Sequence, residues 1–428
     1  MKKEFERVCG ICGKEETEDN RILKGEYGGT VCKICIVSTY ELLTRKKIVG
    51  TGIVANIKDK LDSKMNPEIK EDKNLEFIKD LESKIDFPPI LKAKLDEYII
   101  GNEETKTILS VLIYNHYKKN IQKLKKIGFK EYSKSNTVLI GSTGTGKTLA
   151  AQTISKILDV PFAIADATSM TEAGYAGDDV NIMLKKLLEN ANGDVTKAEN
   201  GIVFIDEVDK IASRGSSNNG RDVSGEGVQQ ALLKIIEGSS ILISSVNERS
   251  EKIEVMLNTE NILFICGGSF AGIEEIINSR INKNGKVGFL SKSRTEEKTH
   301  EILKKVQMED IKEFGIIPEL IGRLHIVSVL DELTEETYKK ILTEPKNSII
   351  KEYNEFYKSE GIILNFSKEA ISHIVEYAIN KKVGVRGLKS SIENIMMDVN
   401  FNIEQYKGKS VNIGKREIQK YLKKISNK

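Results

Sequence analysis

The residues of this chain best suited to chemistry form a glycine-rich segment, Gly141-Ser-Thr-Gly-Thr-Gly-Lys-Thr148, directly after the apolar run Val138 to Ile140. A strand that leads through such a turn into a helix presents consecutive backbone N–H groups and the helix N-terminus to phosphate oxygens. Side chains in place of the glycines would block the approach of the anion. The segment therefore predicts a phosphate site built from Ser142, Thr143, Gly144, Thr145, Gly146, Lys147 and Thr148.

A second motif lies further along the chain, where the apolar run Ile202 to Ile205 ends in Asp206 and Glu207. Phosphoryl transfer depends on charge neutralisation, metal positioning and an aligned nucleophile more than on covalent chemistry. Lys147 would accordingly reach the β- and γ-phosphates, while Thr148 and Asp206 would serve a Mg²⁺ ion. Glu207 would orient and activate water. The two motifs in this order predict ATP binding and hydrolysis, whereas a glycine-rich match alone would also suit an ordinary turn.

Four of the five cysteines form two Cys-x-x-Cys pairs near the start of the chain, Cys9 with Cys12 and Cys32 with Cys35. Two such turns can present four thiolates to one tetrahedral Zn²⁺ ion, and a closed shell of four ligands makes the ion structural. A segment this small gains stability from a metal because its apolar core is limited. Two disulfides or a redox pair are the alternatives. Cys266 lies in an apolar strand and is expected to be a small buried hydrophobe.

The composition argues against several classes of protein. At 428 residues the chain is long enough for two or three domains. A net charge of +3 with 30% charged residues provides no field that would attract nucleic acid or an anionic membrane. No apolar run reaches the roughly 18 residues of a membrane span, and the start of the chain lacks an apolar signal core. We therefore expect a soluble, cytoplasmic protein without membrane or nucleic-acid partners.

Apolar strands alternate with helical patterns from Ile90 onward, which predicts an α/β fold with a parallel sheet covered on both faces. The predicted strands cover residues 137–140, 161–165, 201–205, 261–266 and 324–330. Beyond residue 330 the pattern is mainly helical, with a break at Pro345 and one candidate strand near 361–364. Residues 56–84 are rich in Lys, Asp and Glu and predict a flexible, partly helical linker. The predicted domains are a zinc-binding domain (1–50), a charged linker (51–89), a large ATPase domain (90–329) and a small C-terminal domain (330–428).

Several longer stretches carry a likeness that extends through most of the chain. They are Leu-Asp-Glu-Tyr-Ile-Ile-Gly at 95–101, Tyr-Asn-His-Tyr at 114–117, Thr-Glu-Ala-Gly-Tyr-Ala-Gly at 171–177, Arg-Asp-Val-Ser-Gly-Glu-Gly-Val-Gln-Gln-Ala-Leu-Leu-Lys at 221–234 and Phe-Gly-Ile-Ile-Pro-Glu-Leu-Ile-Gly-Arg-Leu at 314–324. Together with the nucleotide motifs and the paired cysteines, they resemble the ClpX family of AAA+ unfoldases. The resemblance implies a homohexameric ring that threads unfolded or tagged proteins through its central pore, with the ClpP peptidase and adaptor proteins as partners.

The resemblance assigns further nucleotide contacts. Arg323, in Gly-Arg-Leu, resembles the arginine finger that reaches the nucleotide of the neighbouring subunit, and a surface salt bridge is the alternative. Arg386, in Gly-Val-Arg-Gly-Leu-Lys, resembles the sensor-2 arginine, which contacts phosphate in its own subunit. Ile99 and Ile100 resemble the contacts on the adenine side, although these residues alone would suit a core. No residue is assigned as sensor 1.

Three segments carry the mechanical part of the expectation. Tyr175, in Gly-Tyr-Ala-Gly, resembles the pore residue that grips an extended polypeptide, and a buried tyrosine in a turn is the alternative. Residues 213–220 resemble a second pore loop. The triplet Val287-Gly288-Phe289 is apolar within a charged segment and resembles the loop that docks on ClpP. A contact with its own domain is the alternative for this triplet.

The chain departs from the family pattern at three places. Ala176 stands where the family usually has a branched apolar residue, which predicts a weaker grip on substrate. Residues 245–254 have mixed charge instead of a basic Arg-Lys-His triplet near the pore entrance, which leaves the recognition of tagged substrates open. His325 stands where proline is usual, and we interpret it as a satisfied interface histidine, with a pH or ligand role as the alternative.

Two other functions fit part of the sequence. A zinc-bearing nucleic-acid ATPase, such as a clamp loader or helicase, would share the cysteine pairs and the glycine-rich loop. The near-neutral charge and the absence of Ser-Arg-Cys at the arginine finger argue against it. A stand-alone remodelling chaperone would keep the motor without the protease, and the 287–289 triplet argues against that function. The zinc domain is expected to recruit adaptors or substrates, with a purely structural cap as the alternative.

Overall fold

The structure is a computed structural model of the 428-residue chain. It describes residues 8–9, 11, 14–15, 22–24, 30–36, 77–125, 134–171, 178–213, 223–246, 252–284, 297–380 and 384–418. Several predicted functional residues lie outside these ranges, namely Cys12, Tyr175, Val287, Gly288, Phe289 and residues 214–220. The chain divides into two compact units, residues 1–79 with 240–257 and residues 80–239 with 258–428. Within the described ranges, no helix combines the length and apolar character that crossing a membrane requires.

The described strands and helices follow one another along both units. The strands are β1 (Ile22–Lys24), β2 (Thr30–Cys32), β3 (Asn136–Ile140), β4 (Phe162–Asp166), β5 (Met170–Thr171), β6 (Asp178–Asp179), β7 (Ile202–Asp206), β8 (Ser240–Val246), β9 (Lys252–Asn258), β10 (Leu263–Gly268), β11 (Leu324–Val329), β12 (Ile363–Phe366) and β13 (Ser410–Ile413). The helices are α1 (Pro88–Asp96), α2 (Glu103–Leu124), α3 (Lys147–Leu158), α4 (Ile182–Asn190), α5 (Val195–Ala198), α6 (Val223–Glu237), α7 (Ile273–Asn284), α8 (Glu297–Leu303), α9 (Met308–Phe314), α10 (Pro318–Ile321), α11 (Glu335–Thr343), α12 (Ile349–Ser359), α13 (Lys368–Asn380), α14 (Gly384–Phe401) and α15 (Ile403–Tyr406).

Five parallel strands form the central sheet of the larger unit, in the order β11-β3-β10-β7-β4. Every residue of β3 and β10 is buried, as expected for parallel strands that are covered on both faces. Cys266 in β10 lies opposite Val138 of β3 and Ile205 of β7. Burial raises the pKa of its thiol to about 12. Cys266 is therefore the buried small hydrophobe that the sequence predicts.

The order of the strands sets the position of the candidate site. All five predicted strands are present, with boundaries shifted by one or two residues at most. The carboxyl ends of the central strands meet at one edge of the sheet, where Gly141 follows β3, Glu207 follows β7 and Ser269 follows β10. Ligands of open parallel sheets bind outside these carboxyl ends. The sheet thus brings together motifs that are far apart in the sequence.

The chain after β11 is mainly helical, as predicted. Its core includes the buried side chains of Leu342, Tyr357, Ile374, Leu388 and Met396. The candidate strand near 361–364 is confirmed as β12, which pairs in parallel with β13. The sequence does not predict β13, because one short exposed-buried alternation is too brief to identify a strand.

The described residues of the smaller unit include two short sheets of two strands each. Strands β1 and β2 pair antiparallel, with Ile22 opposite Cys32. Residues 33–36 form one helical turn directly after β2. Strands β8 and β9 form the other sheet. The β1–β2 pair therefore fixes Cys32 and, one turn later, Cys35.

A buried histidine gives the larger unit a dependence on pH. Burial lowers the pKa of His116 to about 3, and the positive charges of Lys134 and Lys119 also lower it. The ring Nε2 lies 3.0 Å from the backbone oxygen of Asn261. An unfolded histidine takes up a proton near pH 6.5, roughly, whereas this folded one stays neutral until about pH 3. Acid therefore favours the unfolded chain over this interval.

We expect the free energy of unfolding to fall as the pH drops from about 6.5 towards 3, by at most roughly 1.4 kcal/mol per pH unit from this one group. His116→Gln keeps an N–H donor but removes the titration, so its stability should depend less steeply on pH. Urea unfolding at several pH values, followed for the unit that contains α2, measures the difference in slope. Equal slopes for the two proteins would contradict the assignment.

Candidate active site

The glycine-rich loop connects β3 to α3 at the carboxyl edge of the sheet. Gly144 and Gly146 have φ angles of 88° and 102°, in the left-handed region that residues with a Cβ rarely adopt. Gly146 is the N-cap of α3, and Lys147 is its first residue. The first N–H groups of a helix have no intrahelical acceptor, and they lie at the positive end of the helix dipole. The loop and helix therefore direct donors towards one anion-sized space.

Lys147 lies beside this loop and is only 9% exposed. Its Nζ donates to the carbonyl oxygens of Gly141 at 2.6 Å and Ser142 at 3.1 Å. Thr145 Oγ1 also donates to the Ser142 oxygen, at 2.9 Å. Burial lowers the pKa of Lys147, and the nearby carboxylate of Asp206 opposes that shift. The side chain thus braces the loop and brings an ammonium group to the cavity.

Thr148 and Asp206 join the start of α3 to the end of β7. The Thr148 hydroxyl donates to Asp206 Oδ2 at 3.2 Å. A hydroxyl and a carboxylate are hard oxygen donors of the kind that Mg²⁺ takes in proteins. The donor set therefore fits a magnesium ion that is carried with a nucleotide.

Glu207 has an unusual backbone conformation. Its φ of 57° and ψ of 31° lie in the left-handed region, and it caps the short 3-10 helix Val208–Ile211. Such a conformation costs a residue with a Cβ about 1–3 kcal/mol and recurs at active sites. The kink ends β7 abruptly, and the Glu207 side chain lines the same cavity as Lys147 and Asp206.

The cavity has a volume of about 340 Å³ and is enclosed by most of the residues that the sequence predicts for nucleotide binding. Its lining includes Ile99, Ile100, Thr143, Gly144, Thr145, Gly146, Lys147, Thr148, Asp206, Glu207 and Arg386. Ser142 contributes its carbonyl oxygen to Lys147. The predicted residues come from separate stretches of sequence, and the structure brings these stretches together.

The cavity lining includes several apolar side chains. They are Ile99, Ile100, Leu333, Ile341 and Pro345. Apolar side chains can hold a planar base, while the glycine-rich loop and Lys147 would hold phosphates. The residues therefore fit a nucleoside triphosphate.

Asn102 also lines the cavity and is not among the predicted residues. It is 4% exposed and has a left-handed φ of 56°. Its Nδ2 donates to the Thr145 oxygen at 3.2 Å, and its Oδ1 accepts from the Asp331 amide at 2.7 Å. Asn102 thus holds the glycine-rich loop against the chain that follows β11. The signal in the sequence that could have indicated Asn102 is a polar residue shortly after the apolar pair at 99–100.

Asp209 and Ser269 form a second polar pair that the sequence analysis missed. Asp209 is 4% exposed, and it accepts hydrogen bonds from the Ser269 amide at 3.1 Å and hydroxyl at 3.0 Å. A Cβ on Gly268 would lie 2.7 Å from Asp209 Oδ1, so only glycine fits there. Both residues line the cavity, and Ser269 places a hydroxyl at the end of β10. A hydroxyl just after the strand at 261–266 was the available signal.

The N-terminus of α14 closes the cavity from the helical region. Arg386 and Val385 line the cavity, and a Cβ on Gly144 would lie 3.5 Å from the Val385 amide nitrogen. The N-terminus of α14 and the Arg386 guanidinium therefore lie beside the glycine-rich loop, which also leads into the N-terminus of α3. This arrangement places additional positive charge where phosphates would lie.

Arg323 lies elsewhere. It directly precedes β11, at the amino edge of the sheet, and lines a second cavity of about 200 Å³. Its Nη2 donates to Glu237 Oε1 at 2.8 Å, and both side chains are partly exposed. His325, also in this cavity, is exposed. The structure therefore places Arg323 at the opposite edge of the sheet from the cavity that Lys147 and Asp206 line.

The described cysteines of the smaller unit form a cluster. The sulfur atoms of Cys9, Cys32 and Cys35 lie within 4.8 Å of one another, and none of these residues forms a disulfide. The Cys32 amide donates to Cys9 Sγ at 3.2 Å. Three converging thiols fit a soft ion such as Zn²⁺. Cys12, the fourth predicted ligand, lies outside the described residues.

The fold and the site define a AAA+ P-loop ATPase. A family model described as "AAA domain (Cdc48 subfamily)" matches residues 132–327, which include the glycine-rich loop and the Asp206-Glu207 strand. A second model, described as "C-terminal, D2-small domain, of ClpB protein", matches residues 333–401. ATPase activity follows from this class of fold together with the cavity.

The chain belongs to the ClpX family. A protein named "ATP-dependent Clp protease ATP-binding subunit ClpX" from Bacteroides thetaiotaomicron is 42% identical over 401 residues, which are 93% of this chain and 91% of the relative. A protein of the same name from Treponema denticola is 43% identical over 408 residues, or 94% and 91% of the two chains. Another, from Borrelia duttonii, is 48% identical over 323 residues, or 75% of each chain.

Proposed function

We propose that this chain is an ATP-driven protein unfoldase and translocase, which assembles as a homohexamer and passes unfolded substrates to the ClpP peptidase. The observation that carries the proposal is the composition of the nucleotide cavity. It is lined both by the sheet and the helix that follows β3, through Asp206 and Lys147, and by the helical region after β11, through Ile341 and Arg386. The loss of a phosphate on hydrolysis would therefore change contacts with both regions, and a motor requires such coupling. The names of the relatives support the link to a Clp protease.

The residues of the cavity have proposed roles in ATP hydrolysis. Lys147 and the loop amides would hold the β- and γ-phosphates, and Thr148 with Asp206 would hold Mg²⁺, which would neutralise charge on the phosphates. Glu207 orients the attacking water and takes up its proton. Arg386 contacts phosphate in its own subunit. Ile99 and Ile100 contact the adenine.

Ser269 is our candidate for the sensor-1 position, which the sequence analysis left unassigned. Its hydroxyl lies at the end of β10, between the glycine-rich loop strand and the Asp206 strand. The Ser269 hydroxyl donates a hydrogen bond to Asp209 Oδ2 at 3.0 Å, which fixes its orientation. A polar group held there can respond to the presence of a γ-phosphate.

Arg323 is proposed to act on the nucleotide of the neighbouring subunit. Its position at the amino edge of the sheet, away from the cavity of its own chain, supports an action in trans. A guanidinium that stabilises charge on the transferred phosphoryl group is typically worth about 10³–10⁵ in rate. Hydrolysis would then depend on assembly of the ring.

The remaining assignments concern substrate and partner contacts. We propose that Cys9, Cys12, Cys32 and Cys35 bind one structural Zn²⁺, and that their domain (1–50) recruits adaptors or substrates. Tyr175 grips unfolded or tagged protein in the pore, and the triplet 287–289 docks on ClpP. These proposals rest on family membership and on the apolar residues within charged or glycine-flanked segments. The linker (51–89), the two ATPase domains (90–329 and 330–428) and action in the cytoplasm complete the proposal.

The test is ATP-dependent degradation of a stably folded, tagged fluorescent protein by this chain together with its cognate ClpP. We expect Phe289→Ala to reduce degradation at least about tenfold, while ATP hydrolysis and unfolding without ClpP persist. Tyr175→Ala should reduce both unfolding and degradation while ATP hydrolysis continues. Loss of fluorescence reports unfolding, and release of peptides reports degradation.

Two results would contradict the proposal. If the wild-type protein hydrolyses ATP but unfolds no tagged substrate, the unfoldase function or the assumed tag is wrong. If it unfolds the substrate but yields no peptides with ClpP, the chain acts as a stand-alone remodelling chaperone. Equal degradation by wild type and Phe289→Ala would refute the docking role of that residue.

A further inference from the structure

Arg323 is held by one carboxylate in a particular orientation. Its Nε and Nη2 both donate to Glu237 Oε1, at 3.0 Å and 2.8 Å. The guanidinium group has two edges that can each bind an oxyanion, and Glu237 occupies the edge formed by Nε and Nη2. Nη1 donates no hydrogen bond to any of the described residues. The Nη1 end of the guanidinium therefore points away from Glu237, and its N–H groups can donate to another acceptor.

The backbone of Arg323 is fixed independently of its side chain. The buried Asn136 side chain donates from Nδ2 to the Arg323 oxygen at 3.2 Å and accepts at Oδ1 from the Phe264 amide at 3.1 Å. The pairing of β11 with β3 shifts register between Leu324 and Ile326, directly after Arg323. Such irregularities often re-aim a side chain next to an active site. The backbone is thus well defined, and the long side chain is the part that still needs a partner.

Glu237 lies on a helix that is hydrogen-bonded to the segment before Arg323. It is the last residue of α6, which packs against α10. Within α6, the buried Gln229 accepts from the Ile317 amide at 2.8 Å and donates to the Gly315 oxygen at 3.2 Å. These bonds link α6 to the chain just before α10 and Arg323. Glu237 and Arg323 are therefore held at a fixed spacing.

The remaining charges in this cavity do not favour the observed orientation. Lys119 and Lys123 also line it, and their positive charges repel a guanidinium. Glu260, the other acidic residue of the cavity lining, pairs with Lys123 at 2.5 Å. Glu237 is thus the group that keeps Arg323 in place among the described residues.

We propose that Glu237 is a positioning residue for Arg323, which orients the guanidinium so that its free end meets the γ-phosphate of the neighbouring subunit. This inference rests on the proposed action of Arg323 in trans. A long catalytic side chain often needs a second residue to hold it in place. A misplaced reacting group lowers the reaction rate even though the group itself is still present. Glu237 does not compete with the phosphate, because it binds a different edge.

The experiment is a double-mutant cycle on the ATP hydrolysis of the full chain. We expect Glu237→Ala to lower kcat about tenfold with little change in KM, because the support acts in the transition state. Glu237→Gln keeps an acceptor oxygen and should stay within about threefold of wild type. Arg323→Ala should lower kcat much further. Adding Glu237→Ala to Arg323→Ala should then have no additional effect, since the support has nothing left to orient.

Controls separate this role from a structural one. Glu260→Gln removes one negative charge from the same cavity without touching Arg323 and should leave kcat near the wild-type value. The thermal midpoint of Glu237→Ala should lie within about 2 °C of wild type, because exposed ion pairs contribute little to stability. Equal losses from Glu237→Ala in the wild-type and Arg323→Ala backgrounds would overturn the proposal, and so would a rise in kcat. If Arg323→Ala itself keeps full activity, the proposed trans action of Arg323 fails instead.

Discussion

Glu207→Gln is expected to lower the rate of ATP hydrolysis by about 10³-fold or more and to leave ATP binding nearly intact. The amide has the same shape as the carboxylate but takes up no proton from water, so the chemical step would lose the base that we propose for it. A factor of 10³ corresponds to about 4 kcal/mol of transition-state stabilisation. The contacts of Lys147 with the loop and of Thr148 with Asp206 do not involve Glu207. The variant should therefore accumulate as an ATP-bound protein.

The structure explains why this variant separates binding from hydrolysis. The left-handed backbone of Glu207 is set by the end of β7 and the start of the 3-10 helix at Val208, and glutamine adopts the same backbone. Phosphate release measures kcat, and titration with a fluorescent ATP analogue measures the dissociation constant. Glu189→Gln, at an exposed site on α4, is the matched control and should behave as wild type. If Glu207→Gln keeps more than about a tenth of the wild-type rate, another group is the base, and Asp209 would be tested next.

The sequence predicts the parts of the site that depend on consecutive residues. The loop from Gly141 to Thr148 and the Asp206-Glu207 end of β7 are local motifs whose chemistry depends on neighbouring positions. The three inner strands of the sheet, β3, β7 and β10, were also predictable, because buried parallel strands tend to be continuous apolar runs. The likeness to the ClpX family added Ile99, Ile100 and Arg386, which do line the cavity.

Contacts between residues that are far apart in the sequence could not be predicted from it. Ser269 meets Asp209 only because β10 lies beside β7 in the sheet. Glu237 meets Arg323 because α6 and α10 pack together, and no local pattern marks that pairing. Asn102 reaches Thr145 because its backbone is left-handed, and a single asparagine in the sequence does not predict that conformation. These residues hold others in place, and such support depends on the fold as a whole.

Cys32→Ser is expected to abolish tight zinc binding, with the metal content falling from about one ion per chain to near zero after dialysis. Structural zinc sites bind with roughly 10–16 kcal/mol in small zinc domains at neutral pH, and a serine hydroxyl replaces a thiolate poorly. Cys32 is fully buried and lies in the same cluster as Cys9 and Cys35. Loss of one ligand also opens the closed shell to water. Metal analysis of the full chain before and after dialysis against a weak chelator measures the effect.

Two further variants make the zinc experiment decisive. Cys12→Ser should lose zinc as Cys32→Ser does, because the Cys-x-x-Cys spacing predicts that Cys12 is the fourth ligand. Cys266→Ser should keep its zinc, because that thiol is buried in β10 of the larger unit and its pKa is raised to about 12. Because the described apolar core around the cysteines consists of little more than Ile22, the metal is expected to supply most of the local stability. Hydrogen exchange of the β1–β2 pair should therefore speed up in Cys32→Ser and stay slow in Cys266→Ser. Full zinc retention by Cys32→Ser would refute the four-cysteine site, and retention by Cys12→Ser alone would reduce it to the three cysteines that the structure brings together.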